Sequence, residues 1–284
     1  MGIRVAVASG KGGTGKTLVA TNLAVQLQRT GYAVTLVDCD VDAPNVSLFL
    51  DAPTASRPVT VDVPVEPAAG ACPDGCTACR DACRFGALRI LGGGPVLFAD
   101  LCHHCGMCVD ACRYDVLRTV RTTVGRVLDG MASDGLHVVV GELAVGSTEA
   151  PAVVRAARSR ADEARSEIVL LDAPPGTACA VVATLHGADL AVLVTDPTGF
   201  GLHDLRLMVD LCRRMGVPMV VVVNRDGSGG ADVAGYCDAE GLPIVARIPF
   251  ERAVAECYAE GRLLVDEHPD AGDWFAAVWS GVTA

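Results

Sequence analysis

The sequence predicts an α/β fold: a doubly wound, mostly parallel sheet with a small α+β unit inserted into it. Three observations lead there. Apolar runs alternate with amphipathic ones along the chain, the apolar runs are short and rich in Val, Ile and Leu, and the rhythm fails over one stretch rich in Pro, Gly and Cys. Unbroken β-branched runs are the mark of strands covered on both faces, and the amphipathic segments between them supply the covering helices.

In chain order, IRVAVAS reads as the first strand, Leu18 to Arg29 as the first helix and AVTLVD as the second strand, with IVLLDAP, DLAVLVT, PMVVVVN and PIVARIP following later. Between about Asp51 and Arg121 the pattern breaks, and an inserted domain fits better than a loop of that length. The main domain is expected over residues 1–55 and 122–284, and the insert over 56–121. PTASRPVTVDVPVEPAAG reads as the leading linker with a strand at Val59 to Val63, and Arg118 to Gly130 as the return.

Composition narrows the function. With 284 residues, 51% hydrophobic and 20% charged, the chain can bury one large core and a small second one. A net charge of −11 argues against a surface built to neutralise nucleic-acid phosphates. No basic-then-apolar leader opens the chain and no apolar run approaches the roughly 18 residues of a membrane span, so a soluble, cytoplasmic protein is expected. The tail DWFAAVWSGVTA carries no Lys or Arg and reads as a core-docking helix, not a stable membrane anchor. Disulfides are rare in the cytoplasm, so the eight cysteines between Cys72 and Cys112 are read as metal ligands. The other five, Cys39, Cys179, Cys212, Cys237 and Cys257, are expected as buried small hydrophobes.

Gly10-Lys11-Gly12-Gly13-Thr14-Gly15-Lys16-Thr17 follows the first strand and opens the first helix, the context of a phosphate-binding loop. Glycines let the backbone wrap an anion with successive N–H groups pointing inward, and the helix N-terminus adds partial positive charge. Lys16 is expected on the β/γ-phosphates and Thr17 on Mg²⁺. Lys11 and Lys16 are the only lysines, against 21 arginines, which singles out Lys11 as well.

KGGTGKT with the extra Lys11 resembles the deviant Walker A motif of the ParA/MinD/Mrp family, to which the nitrogenase iron protein also belongs. The resemblance implies ATP and ADP as ligands, ATP hydrolysis and a homodimer formed on ATP binding, with Lys11 reaching the partner's phosphates. Asp38-Cys39-Asp40-Val41-Asp42 resembles switch I, which implies that Asp40 orients the attacking water and Asp38 helps hold hydrated Mg²⁺, with no firm role for Asp42. DAPPGT from Asp172 resembles the Walker B and switch II segment, with Asp172 near Mg²⁺ and Gly176 free to move. Asn224-Arg225 resembles the adenine-recognition position.

The cysteines form two runs, Cys72-x3-Cys76-x2-Cys79-x3-Cys83 and Cys102-x2-Cys105-x2-Cys108-x3-Cys112. The second has the spacing of a bacterial ferredoxin, in which the fourth thiolate of a run serves the other cluster. Crosswise sharing predicts one 4Fe-4S cluster on Cys72, Cys76, Cys79 and Cys112, and another on Cys83, Cys102, Cys105 and Cys108. The first run has one extra residue, and Arg84 and Arg113 stand where ferredoxins have proline. Eight thiolates could also hold two tetrahedral zinc ions. His103 and His104 are expected as solvated residues or as neighbours of the ligands, not as ligands.

Together these features are similar to MinD/Mrp-like ATPases with an inserted ferredoxin-like domain. The resemblance leaves the output open: by comparison with the nitrogenase iron protein, gating of electron transfer by nucleotide state toward a redox or metallocofactor-assembly partner is the favoured expectation, the alternatives being an iron–sulfur carrier or scaffold of the Mrp kind and a MinD-like spatial regulator. Cys179 stands seven residues after Asp172, where the nitrogenase iron protein has a cluster cysteine, but GELAVGSTEAPAVVRAARSRADE offers no second one. A buried thiol is expected there.

Overall fold

The computed structural model describes residues 2–50, 55–67, 71–133 and 135–284. Residues 53–54 and 68–70 of the expected linker lie outside them.

Strand β1 (Ile3–Ala8) runs through the glycine loop into helix α1 (Lys16–Arg29), followed by β2 (Val34–Asp38) and β3 (Ala55–Val65). The cysteine-rich segment holds only short elements: α2 (Ala78–Ala82), β4 (Leu88–Leu91), β5 (Gly94–Leu97) and α3 (Met107–Asp110). β6 (Arg118–Met131) returns the chain, and β7 (His137–Leu143), α4 (Ala150–Glu163), β8 (Ile168–Asp172) and α5 (Cys179–Leu185) follow. The alternation continues with β9 (Leu190–Thr195), α6 (Gly199–Met215), β10 (Met219–Asp226), α7 (Val233–Glu240) and β11 (Ile244–Pro249). Helices α8 (Arg252–Ala259), α9 (Leu264–Glu267) and α10 (Ala271–Thr283) close the chain.

Nine strands form one sheet in the order β11-β10-β9-β1-β8-β2-β7-β6-β3. Neighbours are parallel from β11 to β7, whereas β6 runs antiparallel to β7 and β3 antiparallel to β6. Alternate side chains feed two apolar layers. Val5, Val7, Leu36, Leu170 and Val222 face α1 and α8–α10, while Ala6, Ala8, Val37, Leu171 and Val223 face α4–α7. The C-terminal helix sits in the first layer, with Phe275, Val278 and Val282 buried and Trp274 and Trp279 packed on its margin. Tyr32 meets Trp279 edge-on at 5.7 Å.

Two strands depart from the sequence expectation. HVVVGEL, not among the strands expected from the sequence, becomes β7 because β2 and β6 flank it and α4 covers it. β3 is longer than Val59–Val63 and joins the main sheet at its edge.

β6 pairs with β7 only from Gly125 onward, so 118–123 pair with β3 alone. Together with 60–65 they form a two-stranded arm, its root marked by a register shift between Val59 and Thr60 opposite Val124. The cysteine unit hangs from the end of this arm, where Val65 faces Arg118, and is closed by a small core of Cys79, Leu88, Cys108 and Leu117.

Candidate functional site

The glycine loop crosses the carboxyl end of β1, the central strand between β9 and β8. Gly15 precedes α1 in the left-handed region at φ 100, and a Cβ there would lie 2.2 Å from Asn224 Nδ2. Glycine at that position lets the end of β10 close on the loop. Asn224 Nδ2 donates to the Thr14 carbonyl at 2.7 Å, and Asn224 Oδ1 accepts from the Arg225 N–H at 2.9 Å. Asn224 is buried, and it braces the phosphate loop as well as flanking the pocket beside it. Arg225 adopts a positive φ of 53 on the rim. The Gly176 N–H donates to the Ser9 carbonyl at 3.1 Å, tying the switch II segment to the same loop.

Sheet register brings the acids together. β2 and β8 pair so that Asp38 lies opposite Asp172, and both are fully buried beside Lys16. Thr17 Oγ1 donates to Asp172 Oδ2 at 2.6 Å, and buried Asp172 Oδ1 has no hydrogen-bond partner. Asp38 accepts three backbone N–H groups, from Asp40 at 3.0 Å, Asn45 at 2.8 Å and Val46 at 2.9 Å, and so folds switch I back onto β2. Burial pushes the Asp38 carboxyl up to about 7, against those three donors. Burial, then Asp38, raises Asp172 well above the carboxylate range. Asp40 is raised by burial, lowered by Lys16 and raised by Asp42. Burial holds Lys16 below the usual lysine value despite Asp172, Asp40 and Asp38. The orphaned, buried Asp172 Oδ1 beside the Thr17 hydroxyl, with the Asp38 carboxyl opposite it, offers oxygens of the kind a hard divalent cation takes.

Next to the loop, an apolar pocket opens between Gly15, Asn224, Pro249, Phe250, Val254 and Tyr258. It suits a planar base, and its α8 wall was not legible in the sequence, where AVAECYA carries no nucleotide signal. Lys11 points to the other side: its Nζ lies 3.0 Å from Asp196 Oδ2 at the end of β9. Thr198 also donates to Asp196, whose carboxyl is raised by burial but brought below its usual value by Thr198 and Lys11. Nothing in the local sequence VTDPTGF announces the pairing of Asp196 with Lys11.

The cysteine unit encloses two hollows. One is lined by Cys72, Cys76, Cys79 and Cys112, the other by Cys83, Cys102, Cys105 and Cys108. In each, three thiols come from one run and the fourth from the other. Burial raises the Cys112 thiol, but the backbone N–H groups of Leu117, Val116, Tyr114 and Asp115 outweigh it and its pKa falls. Cys83 behaves alike under the N–H groups of Phe85, Ala87, Leu88 and Gly86. A chain that turns directly after its fourth cysteine supplies such a crown, and Arg84 and Arg113 do not prevent it. Among the described residues no group of three or more His, Cys, Asp or Glu side chains converges on a point suited to a single metal ion. His103 stacks on Phe85 with ring centroids 3.9 Å apart, and His104 meets Glu149.

Cys39, Cys212, Cys237 and Cys257 are buried, as expected. Cys179 is exposed, contrary to expectation, because it starts α5 on the outward-facing switch II segment. Among the described residues no helix is long and apolar enough to cross a membrane.

A parallel sheet with a phosphate loop at its central strand and two lysines in that loop defines a P-loop ATPase of the MinD/ParA type. The chain belongs to the CobQ/CobB/MinD/ParA nucleotide-binding family, whose domain matches residues 5–265. Its fold is similar to the cell division ATPase MinD of Pyrococcus furiosus, at 22% identity, covering 100% of this chain and 99% of that one with a TM-score of 0.61. It is also similar to the septum site-determining protein MinD of Pyrococcus horikoshii with Mg-ADP, at 20% identity, covering 99% and 96% with a TM-score of 0.60. An uncharacterized protein of Methanocaldococcus jannaschii is 29% identical over 266 residues, 90% of this chain and 89% of that protein. The iron-sulfur cluster carrier protein of Aquifex aeolicus is 27% identical over 287 residues, and the match covers 94% of this chain but only 63% of the carrier.

Proposed function

We propose that this chain is a Mg²⁺-dependent ATPase that dimerises on binding ATP and carries two 4Fe-4S clusters in a ferredoxin-like insert, residues 56–121, set within an ATPase domain of residues 1–55 and 122–284. Its nucleotide state gates electron transfer to a redox or metallocofactor-assembly partner in a reducing, cytoplasm-like compartment. The observation that carries this reading is the pair of hollows, each lined by four cysteines drawn crosswise from both runs.

The donor set fits the clusters: eight thiols, no carboxylate among them, and a crown of backbone N–H groups over the fourth cysteine of each run. When bound, the clusters supply one-electron chemistry. Cys72, Cys76, Cys79 and Cys112 would hold one, and Cys83, Cys102, Cys105 and Cys108 the other.

In the ATPase domain, the N–H groups of Gly12, Gly13, Thr14 and Gly15 cradle the phosphates, and Lys16 neutralises the β/γ oxygens. Thr17 and Asp172 would take Mg²⁺, with Asp38 at its outer side, and Asn224 and Arg225 border the base. Asp40 orients a water for attack on the γ-phosphorus, the bond to the bridging β–γ oxygen breaks, and ADP leaves with that oxygen. Lys11 exchanges Asp196 for the phosphates of a partner subunit.

A second reading, an iron–sulfur cluster carrier, is favoured by the name of the Aquifex relative and by the exposure of Cys105. One experiment separates the two. Anaerobically purified protein is analysed for iron and sulfide, about eight of each per chain for two clusters, and then offered a chelator or an apo-ferredoxin with and without MgATP. Gating predicts clusters that stay in place while their potential moves with nucleotide; a carrier loses them to the acceptor. Stoichiometric zinc without a visible charge-transfer band would overturn both.

A further inference from the structure

The arm is not the only connection between the cysteine unit and the sheet. Switch I passes through Val41, whose carbonyl accepts the Leu143 N–H at the end of β7 at 2.8 Å. β7 gives it no slack: a Cβ added to Gly141 would lie 2.7 Å from Val41 Cγ1. The next residue, Ala144, donates to the Val124 carbonyl at 2.9 Å, at the root of the arm. A tight turn follows, with the Ser147 N–H on the Ala144 carbonyl at 3.0 Å and the Glu149 N–H on Ser147 Oγ at 3.2 Å.

That turn delivers Glu149 to the cysteine unit. Glu149 Oε1 stands 3.0 Å from His104 Nδ1, an ion-pair distance without hydrogen-bond alignment, and the two side chains are only 15% and 13% exposed. His104 lies between Cys102 and Cys105 with φ at 50, in the left-handed region that residues with a Cβ seldom enter. Across the interface it has Glu149 to hold it.

We infer that Glu149 and His104 are positioning residues, a latch that seats the Cys102–Cys108 loop on the end of β7, so that displacement of switch I at Val41 is transmitted to the hollow of Cys83, Cys102, Cys105 and Cys108. The arm root at Val124 acts as the pivot and the latch as the far contact. Its consequence for electron flow rests on the two-cluster reading above; the mechanical link does not.

Hydrogen–deuterium exchange on the cluster-loaded, anaerobic full chain, compared in MgADP and in a non-hydrolysable ATP analogue with Mg²⁺, tests it. In the unaltered protein, peptides covering 41–46, 143–149 and 102–108 should all change exchange between the two nucleotides. In Glu149→Ala the first two should still respond and 102–108 should lose its response. Asp100→Ala, which removes an exposed carboxylate from the cysteine unit without touching the latch, should behave as the unaltered chain. Iron content is measured first, and if Glu149→Ala does not load, Glu149→Gln, which keeps the packing and drops the charge, is read in the same way. A full response of 102–108 in the Glu149 variant, or none in the unaltered protein, overturns the latch. Failure of gating itself reads out separately: cluster potentials that are identical in both nucleotides while the exchange response persists.

Discussion

Lys11 Nζ and Asp196 Oδ2 form an ion pair 3.0 Å long within a single chain, with the carboxylate almost fully buried and the lysine nearly a third exposed. A lysine held in this way is available to a second subunit only after the pair opens. Lys16→Ala should abolish nucleotide binding, whereas Lys11→Ala should bind nucleotide yet lose dimerisation and hydrolysis. Asp196→Asn, which frees Lys11, should dimerise at lower ATP concentration than the unaltered chain. Light scattering against nucleotide concentration measures all three.

Asp40 points to a different loss. Asp40→Asn should bind ATP and stay dimeric because nothing orients the water, with turnover down by about 10²-fold or more, the range of positioned acid–base groups. Undiminished phosphate release would transfer the role to Asp42.

The apolar pocket makes a third expectation. Tyr258→Ala removes a wall of the base site without touching the phosphates, so nucleotide affinity should fall about tenfold, or roughly 1.4 kcal/mol, while turnover at saturation is unchanged.

Acidity should act through Asp38, whose carboxyl is raised by burial to about 7. Its folded state binds the proton more tightly than the unfolded one, so its contribution to stability is full at low pH and is lost as pH rises toward 7. Mg²⁺ needs the ionised form, so the stabilisation given by MgADP should grow as pH rises through about 7. Melting temperatures with and without MgADP from mildly acidic to mildly alkaline pH would check the sign, and Asp38→Asn should flatten the dependence.

Crosswise ligation is tested by paired substitutions. Cys72→Ala and Cys112→Ala should leave the same residual cluster spectrum, and Cys83→Ala and Cys108→Ala the other. Grouping of Cys112 with Cys108 instead would refute the crossed arrangement.

Local pattern was enough for the strands and for the loop that carries Lys16. Val5, Leu36, Leu170 and Val222 announce buried strands because they lie in short unbroken apolar runs, the pattern of strands covered on both faces, and glycines between a strand and a helix announce a phosphate loop because their backbone freedom is a local property. β7 escaped because Gly141 and Glu142 break its apolar run. The exposure of Cys179 escaped because composition does not say which way a helix start faces.

The sequence by itself determined which residues can do chemistry: two lysines in one loop, acids at strand ends, and eight cysteines in two short runs. Only the tertiary structure decided which of them meet. Asp38 stands beside Asp172 through the register of β2 and β8, Lys11 rests on Asp196 because β9 ends there, and Phe250 and Tyr258 close a pocket begun more than two hundred residues earlier. Likewise Glu149 reaches His104 only because β7 ends against the arm. Each of these contacts joins segments far apart in the chain, and its geometry follows from sheet register and packing, which no local periodicity encodes.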